Sequence, residues 1–200
     1  MRDSIINSSL NIIRKKNPNY DEEKIEILEY GLTGLYILIT KSIIIFTISY
    51  FLGIFKELVL FMIIYNCIRS VSFGVHASSS SGCLIVSSIS FIGAVYLCKY
   101  TVFPMGFKTI MGLIGIIYVY IYSPADTEKR PIINPKRRLV YKLLSTFISF
   151  VMVMISLIID DVFIANSLIG ALLMQCVMIS PLTYKLANQK YDNYKDYLSN

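Results

Sequence analysis

The single histidine of this 200-residue chain, His76, lies close to a cysteine, Cys83. Six residues separate them in the run Arg69-Ser70-Val71-Ser72-Phe73-Gly74-Val75-His76-Ala77-Ser78-Ser79-Ser80-Ser81-Gly82-Cys83. A thiol attacks as its thiolate, whose pKa in free cysteine is about 8.5. Two features of the run would lower it. Cys83 follows a polar Ser-Ser-Gly stretch and opens an apolar one, which predicts a place near a helix N-terminus, where unpaired N–H groups and the dipole favour negative charge. A neighbouring imidazolium at His76 would favour the thiolate further. The same ring could then protonate a leaving amine as a general acid, and amides at the helix start could receive a tetrahedral oxyanion. Gly74 and Gly82 give the loop the freedom to fold back. The plainer alternative is that both are ordinary loop residues, because one His and one Cys form a short motif.

The other cysteines, Cys67, Cys98 and Cys176, sit inside apolar runs. There a thiol behaves as a small hydrophobe. No CxxC pair occurs, and one histidine excludes a multi-histidine metal site, so no cofactor is expected.

The elements that must position this loop are apolar. The chain is 55% hydrophobic and 16% charged, with mean hydropathy +0.61; soluble domains carry about 25% charged residues. Six apolar stretches fall at roughly 32–51, 53–68, 83–98, 105–122, 142–159 and 162–180. A spanning helix needs about 20 residues. The second and third stretches are short for that, so four to six spans are compatible with the pattern and six is the expected number. The expected fold is an all-α integral membrane bundle: an amphipathic N-terminal segment over 1–31, a transmembrane region over 32–180 and a tail over 181–200. With fifteen Tyr and no Trp, any aromatic belt must be built from Tyr.

The net charge of +6 does not call for nucleic acid, because the basic residues lie between apolar runs. Lys and Arg concentrate in 1–31, 69–82, 123–141 and 181–200. By the positive-inside rule both termini and the His76–Cys83 loop face the cytoplasm. The first 30 residues lack the apolar core and cleavage site of a secretory signal. Lys41 and Lys108 fall within spans, where an ionisable group is a functional candidate, although Lys108 lies near an outer end and can snorkel.

The pattern Arg69…Gly74-x-His76…Cys83, set between the second and third apolar runs, resembles the accessory gene regulator B (AgrB) family of bacterial membrane peptidases. So does the proline-then-basic loop Tyr122-Ser123-Pro124 … Lys129-Arg130-Pro131 … Lys136-Arg137-Arg138. The similarity covers nearly the whole chain. The resemblance implies cysteine endopeptidase activity on the precursor of a quorum-sensing peptide, with Cys83 as nucleophile and His76 as base. Cleavage of an acidic C-terminal part would leave a thioester that closes to a thiolactone or lactone. It also implicates Arg69 and Gly74. The family usually has two glycines before the x-His, whereas this chain has Phe73-Gly74; a requirement for φ > 0 at the first would strain Phe73.

Arg69 could equally be a positive-inside anchor, or orient the loop or a substrate carboxylate. The basic loop, with Lys129 and Arg130, could serve membrane orientation or dock the acidic part of the precursor. The expected partners are that precursor and the lipid bilayer; Gly112 and Gly115 permit close helix packing, which leaves association with a second copy of the chain open. The alternatives from other classes are a peptide exporter or channel without chemistry, and a non-catalytic membrane scaffold.

Overall fold

Each of the six apolar runs folds as a helix. The computed structural model describes residues 2–17, 20–75, 80–127 and 131–197; within these, nothing is said of the side chains of residue 2, residues 80–85 or residue 196. The helices are α1 Arg2–Lys16, α2 Glu22–Phe51, α3 Phe55–Ser72, α4 Ser80–Tyr100, α5 Met105–Tyr122, α6 Pro135–Ile158, α7 Val162–Ile179 and α8 Pro181–Leu186, followed by a 3-10 turn at Asn193–Tyr197. Among the described residues the only bridge pairing is one isolated parallel contact, Phe73 with Ala125.

Among the described residues four helices are long and apolar enough to cross a membrane: α2, α5, α6 and α7. The described apolar part of α4, Val86–Tyr100, is shorter. α3 carries Lys56, Glu57 and Arg69 within its length. The two runs that look short in the sequence fold as α3, of 18 residues, and α4, of 21. The chain is an all-α integral membrane protein, and its exposed side chains match that solvent: Leu113, Ile117, Ile121, Leu143, Phe147 and Phe150 are all more than half accessible.

The chain forms two compact units, Met1–Ile48 and Ser49–Asn200. In the first, the apolar side of α1 meets α2: Ile6, Leu10 and Ile25 are buried together, with Leu28 and Leu32 packed against them. α2 runs unbroken from Glu22 through residue 31, with acids Glu22 and Glu23 at its favoured positive end.

In the second unit α7 is the axis and packs against α3, α4, α5 and α6. Small residues let it approach its neighbours closely. A Cβ on Gly170 would stand 2.9 Å from Cys98 Sγ, and one on Gly115 would stand 2.8 Å from a Leu172 methyl. Gly112 is likewise covered by Val153. Packing within one chain therefore accounts for Gly112 and Gly115. Helix starts are capped by local side chains: Asn134 Oδ1 accepts from Lys136 and Arg137 N–H before Pro135 opens α6, and Asp161 Oδ1 accepts from Ile164 N–H at α7.

Candidate functional site

The last turn of α3 brings Arg69 to the corner at Phe73–Val75, the segment that leads directly to residue 76. Its guanidinium acts as a fork. Nη1 donates to Phe73 O at 2.6 Å, and Nη2 donates to Gly74 O at 3.2 Å and Val75 O at 2.8 Å. Three successive carbonyls thereby point at one cation, which an extended chain with alternating carbonyls could not achieve. The backbone bends to allow it. Phe73 has φ 58°, ψ −138°, and Gly74 has φ 121°. Both values lie where glycine is at ease and a side chain is strained, at about 1–3 kcal/mol for a non-glycine residue. The strain foreseen for Phe73 is therefore present. Gly74 has no alternative: a Cβ there would overlap the Arg69 guanidinium and stand 2.7 Å from Met178 O.

The N–H groups of the corner are also committed. Gly74 N–H donates to Ala125 O at 2.9 Å, Val75 N–H to Met178 O at 3.0 Å, and Ala125 N–H returns to Ser72 O at 3.0 Å. From α7, the fully buried Gln175 donates Nε2 to Ser72 Oγ at 2.6 Å and Phe73 O at 2.7 Å. Phe73 sets its ring edge-on to Tyr141, centroids 5.0 Å apart. The helices α3, α6 and α7 and the 123–127 segment thus all grip three residues.

Behind Ala125 lies a second layer. Tyr184 of α8, fully buried, donates its hydroxyl to Ala125 O at 3.0 Å and Asp126 O at 2.9 Å. Burial raises its pKa well above the ordinary phenol value. The buried Asp126 carboxylate accepts from Ile132, Asn193 and Tyr194 N–H and faces Arg138 at 3.6 Å. Arg138 also meets Asp192 at 3.5 Å and lies 3.5 Å above the Tyr194 ring. The 181–197 segment is therefore tied to the 123–127 segment rather than being a loose tail. A cleft of about 450 Å³ opens beside it, lined in part by Tyr122, Pro124, Pro135, Arg138, Lys142 and Tyr191.

Arg69 and Gly74 thus meet at one corner. Cys83 lies in the first turn of α4, where the first four N–H groups of a helix have no intrahelical acceptor; its side chain is not described. His76, Lys129 and Arg130 lie outside the described residues. Of the basic loop, Lys136 and Arg137 are exposed at the start of α6, while Arg138 is taken up by Asp126 and Asp192. Lys108 donates to Ser156 O at 3.1 Å, closing the end of α6. Sequence reasoning missed Gln175, Ala125, Met178 and Tyr184. Gln175 carried a signal, being a primary amide within an apolar helix, where polar groups are expensive. The backbone acceptors carried none.

The sequence profile of the family described as accessory gene regulator B matches residues 6–179. An AgrB-like protein of Clostridium acetobutylicum is 30% identical over 185 residues, covering 92% of this chain and 88% of its own length. An AgrB-like protein of Listeria monocytogenes is 28% identical over 188 residues, covering 93% and 91%. The accessory gene regulator protein B of Staphylococcus aureus is 29% identical over 185 residues, covering 91% and 96%. No solved structure matches. The match spans the Arg69–Gly74 corner, the start of α4 and the axial helix α7 alike, and the chain belongs to the accessory gene regulator B family.

Proposed function

We propose that the chain is a membrane-embedded cysteine endopeptidase of quorum sensing, with Cys83 as nucleophile and His76 as its acid–base partner, working at the cytoplasmic face. The observation that carries this reading is the fixed corner before His76. Arg69 holds the carbonyls of Phe73, Gly74 and Val75, and α4 resumes at Ser80. Only residues 76–79 join the two, so His76 directly follows a corner held by hydrogen bonds and Cys83 sits in the first turn of a helix. A strained corner held by four surrounding segments, next to the only histidine, is more than a simple connection between two helices requires.

The reaction proceeds in two acyl transfers. The Cys83 thiolate attacks the scissile carbonyl carbon. The C–N bond breaks as the His76 imidazolium gives its proton to the departing amine, and the acidic C-terminal fragment leaves. The N-terminal part remains as a thioester on Cys83. A thiol or hydroxyl within the peptide, deprotonated by His76, then attacks that thioester, closes a thiolactone or lactone and restores the Cys83 thiolate. Exclusion of water and the high effective molarity of an internal nucleophile favour closure over hydrolysis.

Lys136 and Arg137 favour an acidic substrate part. Cations at a helix N-terminus oppose the dipole, and these two are exposed there, which suits a surface that receives carboxylates. Lys129 and Arg130 extend the same basic run.

Rates of iodoacetamide labelling, read at each cysteine by mass spectrometry on the full chain in detergent, test the pairing. Cys83 should label with a pH midpoint below about 8.5, the ordinary thiol value, and His76→Ala should raise that midpoint. Cys67, which is exposed, is the internal reference. With the precursor peptide, Cys83→Ser and His76→Ala should each abolish release of the C-terminal fragment. Cleavage that survives either change would sink the mechanism.

A further inference from the structure

We infer that Gln175 is a positioning residue of this site: from α7 it holds the corner from which His76 departs, and so sets the approach of the imidazole to Cys83. The inference rests on the peptidase reading above.

Gln175 is fully buried and lies more than 100 positions away in sequence from the groups it binds. Both its amide N–H bonds go to the corner, to Ser72 Oγ at 2.6 Å and Phe73 O at 2.7 Å. The orientation of the amide is fixed by its partners. Phe73 O can only accept, and the Ser72 hydroxyl already donates to Ile68 O at 2.8 Å. A flipped amide would set oxygen against both. Correct orientation leaves Oε1 buried with no donor among the described residues. An unmet buried acceptor costs free energy, and in an apolar helix leucine or methionine would fill the same space without that cost. The amide is therefore better explained by what its nitrogen does than by filling space between α3 and α7.

Its nitrogen secures the weakest point of the corner. Phe73 O belongs to the residue held at φ 58°. It receives Arg69 Nη1 from α3 and Gln175 Nε2 from α7, which fills both of its lone pairs. The oxygen of the 73–74 peptide is thus fixed from two sides, and its N–H is held by Ala125 O. With the Gln175 donor removed, Phe73 O keeps only Arg69, whose fork also holds Gly74 O and Val75 O, and the strained Phe73 gains room to relax. Val75 directly precedes His76 in the chain, so on the peptidase reading a swing at Phe73 changes where the chain enters the catalytic histidine. Misplacement of a reacting group by about 1 Å is enough to cost on the order of 100-fold in rate.

The test uses the full chain in detergent, with Gln175→Met as the length-matched variant without donors and Gln175→Leu as the second. Hydrogen exchange at the Gly74 and Val75 amides reads the corner, and the pH profile of iodoacetamide labelling at Cys83 reads the imidazole–thiol relation. The expected result is a folded variant with exchange at least about tenfold faster at these amides and a Cys83 midpoint raised toward about 8.5. A folded variant whose labelling profile matches wild type overturns the inference, whatever its exchange. So does unchanged exchange. Should both variants fail to fold, the role is structural and the inference is overturned as well. His76→Ala, run alongside, separates the two levels. If its own profile matches wild type, the peptidase pairing fails first; if it shifts while Gln175→Met does not, only the positioning role falls.

Discussion

The unit formed by residues 49–200 has two ends, and buried polar side chains close both of them. At the end formed by residues near 53, 101, 159 and 166, Asn166 donates to Cys98 O at 3.0 Å and Thr101 O at 2.7 Å. It also accepts from Phe103 N–H at 3.3 Å. Lys108 donates to Ser156 O, and Lys99 meets Glu57 at 2.6 Å. The bonds to Cys98 O and Ser156 O satisfy carbonyls that helix ends leave unpaired, and among the groups these contacts engage no non-glycine residue has positive φ. At the opposite end, Arg69, Gln175, Ala125 and Met178 hold Phe73 and Gly74 in conformations those bonds must enforce. The first end spends its polar groups to finish helices. The second spends them against backbone strain, beside the only histidine. Bracing of an unfavourable conformation, rather than polarity inside a membrane protein as such, separates the candidate site from mere helix closure.

The largest expected contrast between the ends comes from adding one methyl group. Gly74→Ala meets Arg69 and Met178 O and a φ of 121°. It should cost about 3 kcal/mol or more and remove processing activity. Gly106, in the first turn of α5, has nothing within 4 Å of an added Cβ. Gly106→Ala should be neutral or stabilise by up to about 1 kcal/mol. Thermal unfolding in detergent compares them, and equal losses would erase the distinction between the ends.

Cation replacements give the next largest contrast. Arg69→Lys keeps the charge but loses the planar fork, and a single Nζ on a shorter side chain does not reproduce the two nitrogens that reach Phe73 O, Gly74 O and Val75 O. At least one buried carbonyl is left unmet, at a cost of about 2 kcal/mol. Lys108→Met releases only Ser156 O and should cost about 0.5–1 kcal/mol, with processing unchanged. If Arg69→Lys behaved like Lys108→Met in both stability and processing, Arg69 would be a simple anchor, as the sequence also allowed.

The sequence reveals the two ends unequally. The helices were legible because lipid demands long apolar runs, and the six runs from 32 to 180 all appear as helices. Arg69 and Gly74 stood out because the resemblance to the accessory gene regulator B family implicates them; the residues alone leave Arg69 equally a positive-inside anchor. Even the strain at Phe73 could be foreseen from a side chain standing where glycine is usual. The brace was not legible. Ala125 and Met178 contribute only backbone oxygens, which every residue has. Tyr184 lies beyond the last apolar run, in a segment whose composition suggests a solvated tail. Gln175 was visible as an amide in an apolar helix, but its partner more than 100 residues earlier was not.

A smaller effect isolates the strain itself. Phe73→Ala and Phe73→Gly both lose the contact with Tyr141, but only glycine accepts φ 58° without penalty. The glycine variant should therefore be the more stable of the two, by about 1–2 kcal/mol. In a relaxed helix the order reverses, with alanine favoured over glycine by up to about 1 kcal/mol. Denaturation of the pair side by side measures the difference, and alanine the equal of glycine would mean that the corner holds no strain for its bonds to offset.

The smallest expected effect is a dependence on alkaline pH. Burial raises the pKa of Tyr184, because the phenolate is poorly solvated there and the neutral hydroxyl is the form that donates to Ala125 O and Asp126 O. The folded state therefore holds this proton more tightly than the unfolded chain does. The stabilisation is complete below the unfolded value of about 10 and fades as pH rises beyond it. Tyr191, raised in the same direction by burial, adds to the same slope. Tyr184→Phe should cost about 1 kcal/mol at neutral pH, and its Tm should then fall less steeply than that of wild type above pH about 10. Asn166→Leu, at the other end, removes an amide that does not titrate and should keep the wild-type slope. Parallel Tm curves for wild type and Tyr184→Phe would show that the phenol does not support Ala125 in its protonated form, and would detach α8 from the corner that it is inferred to back.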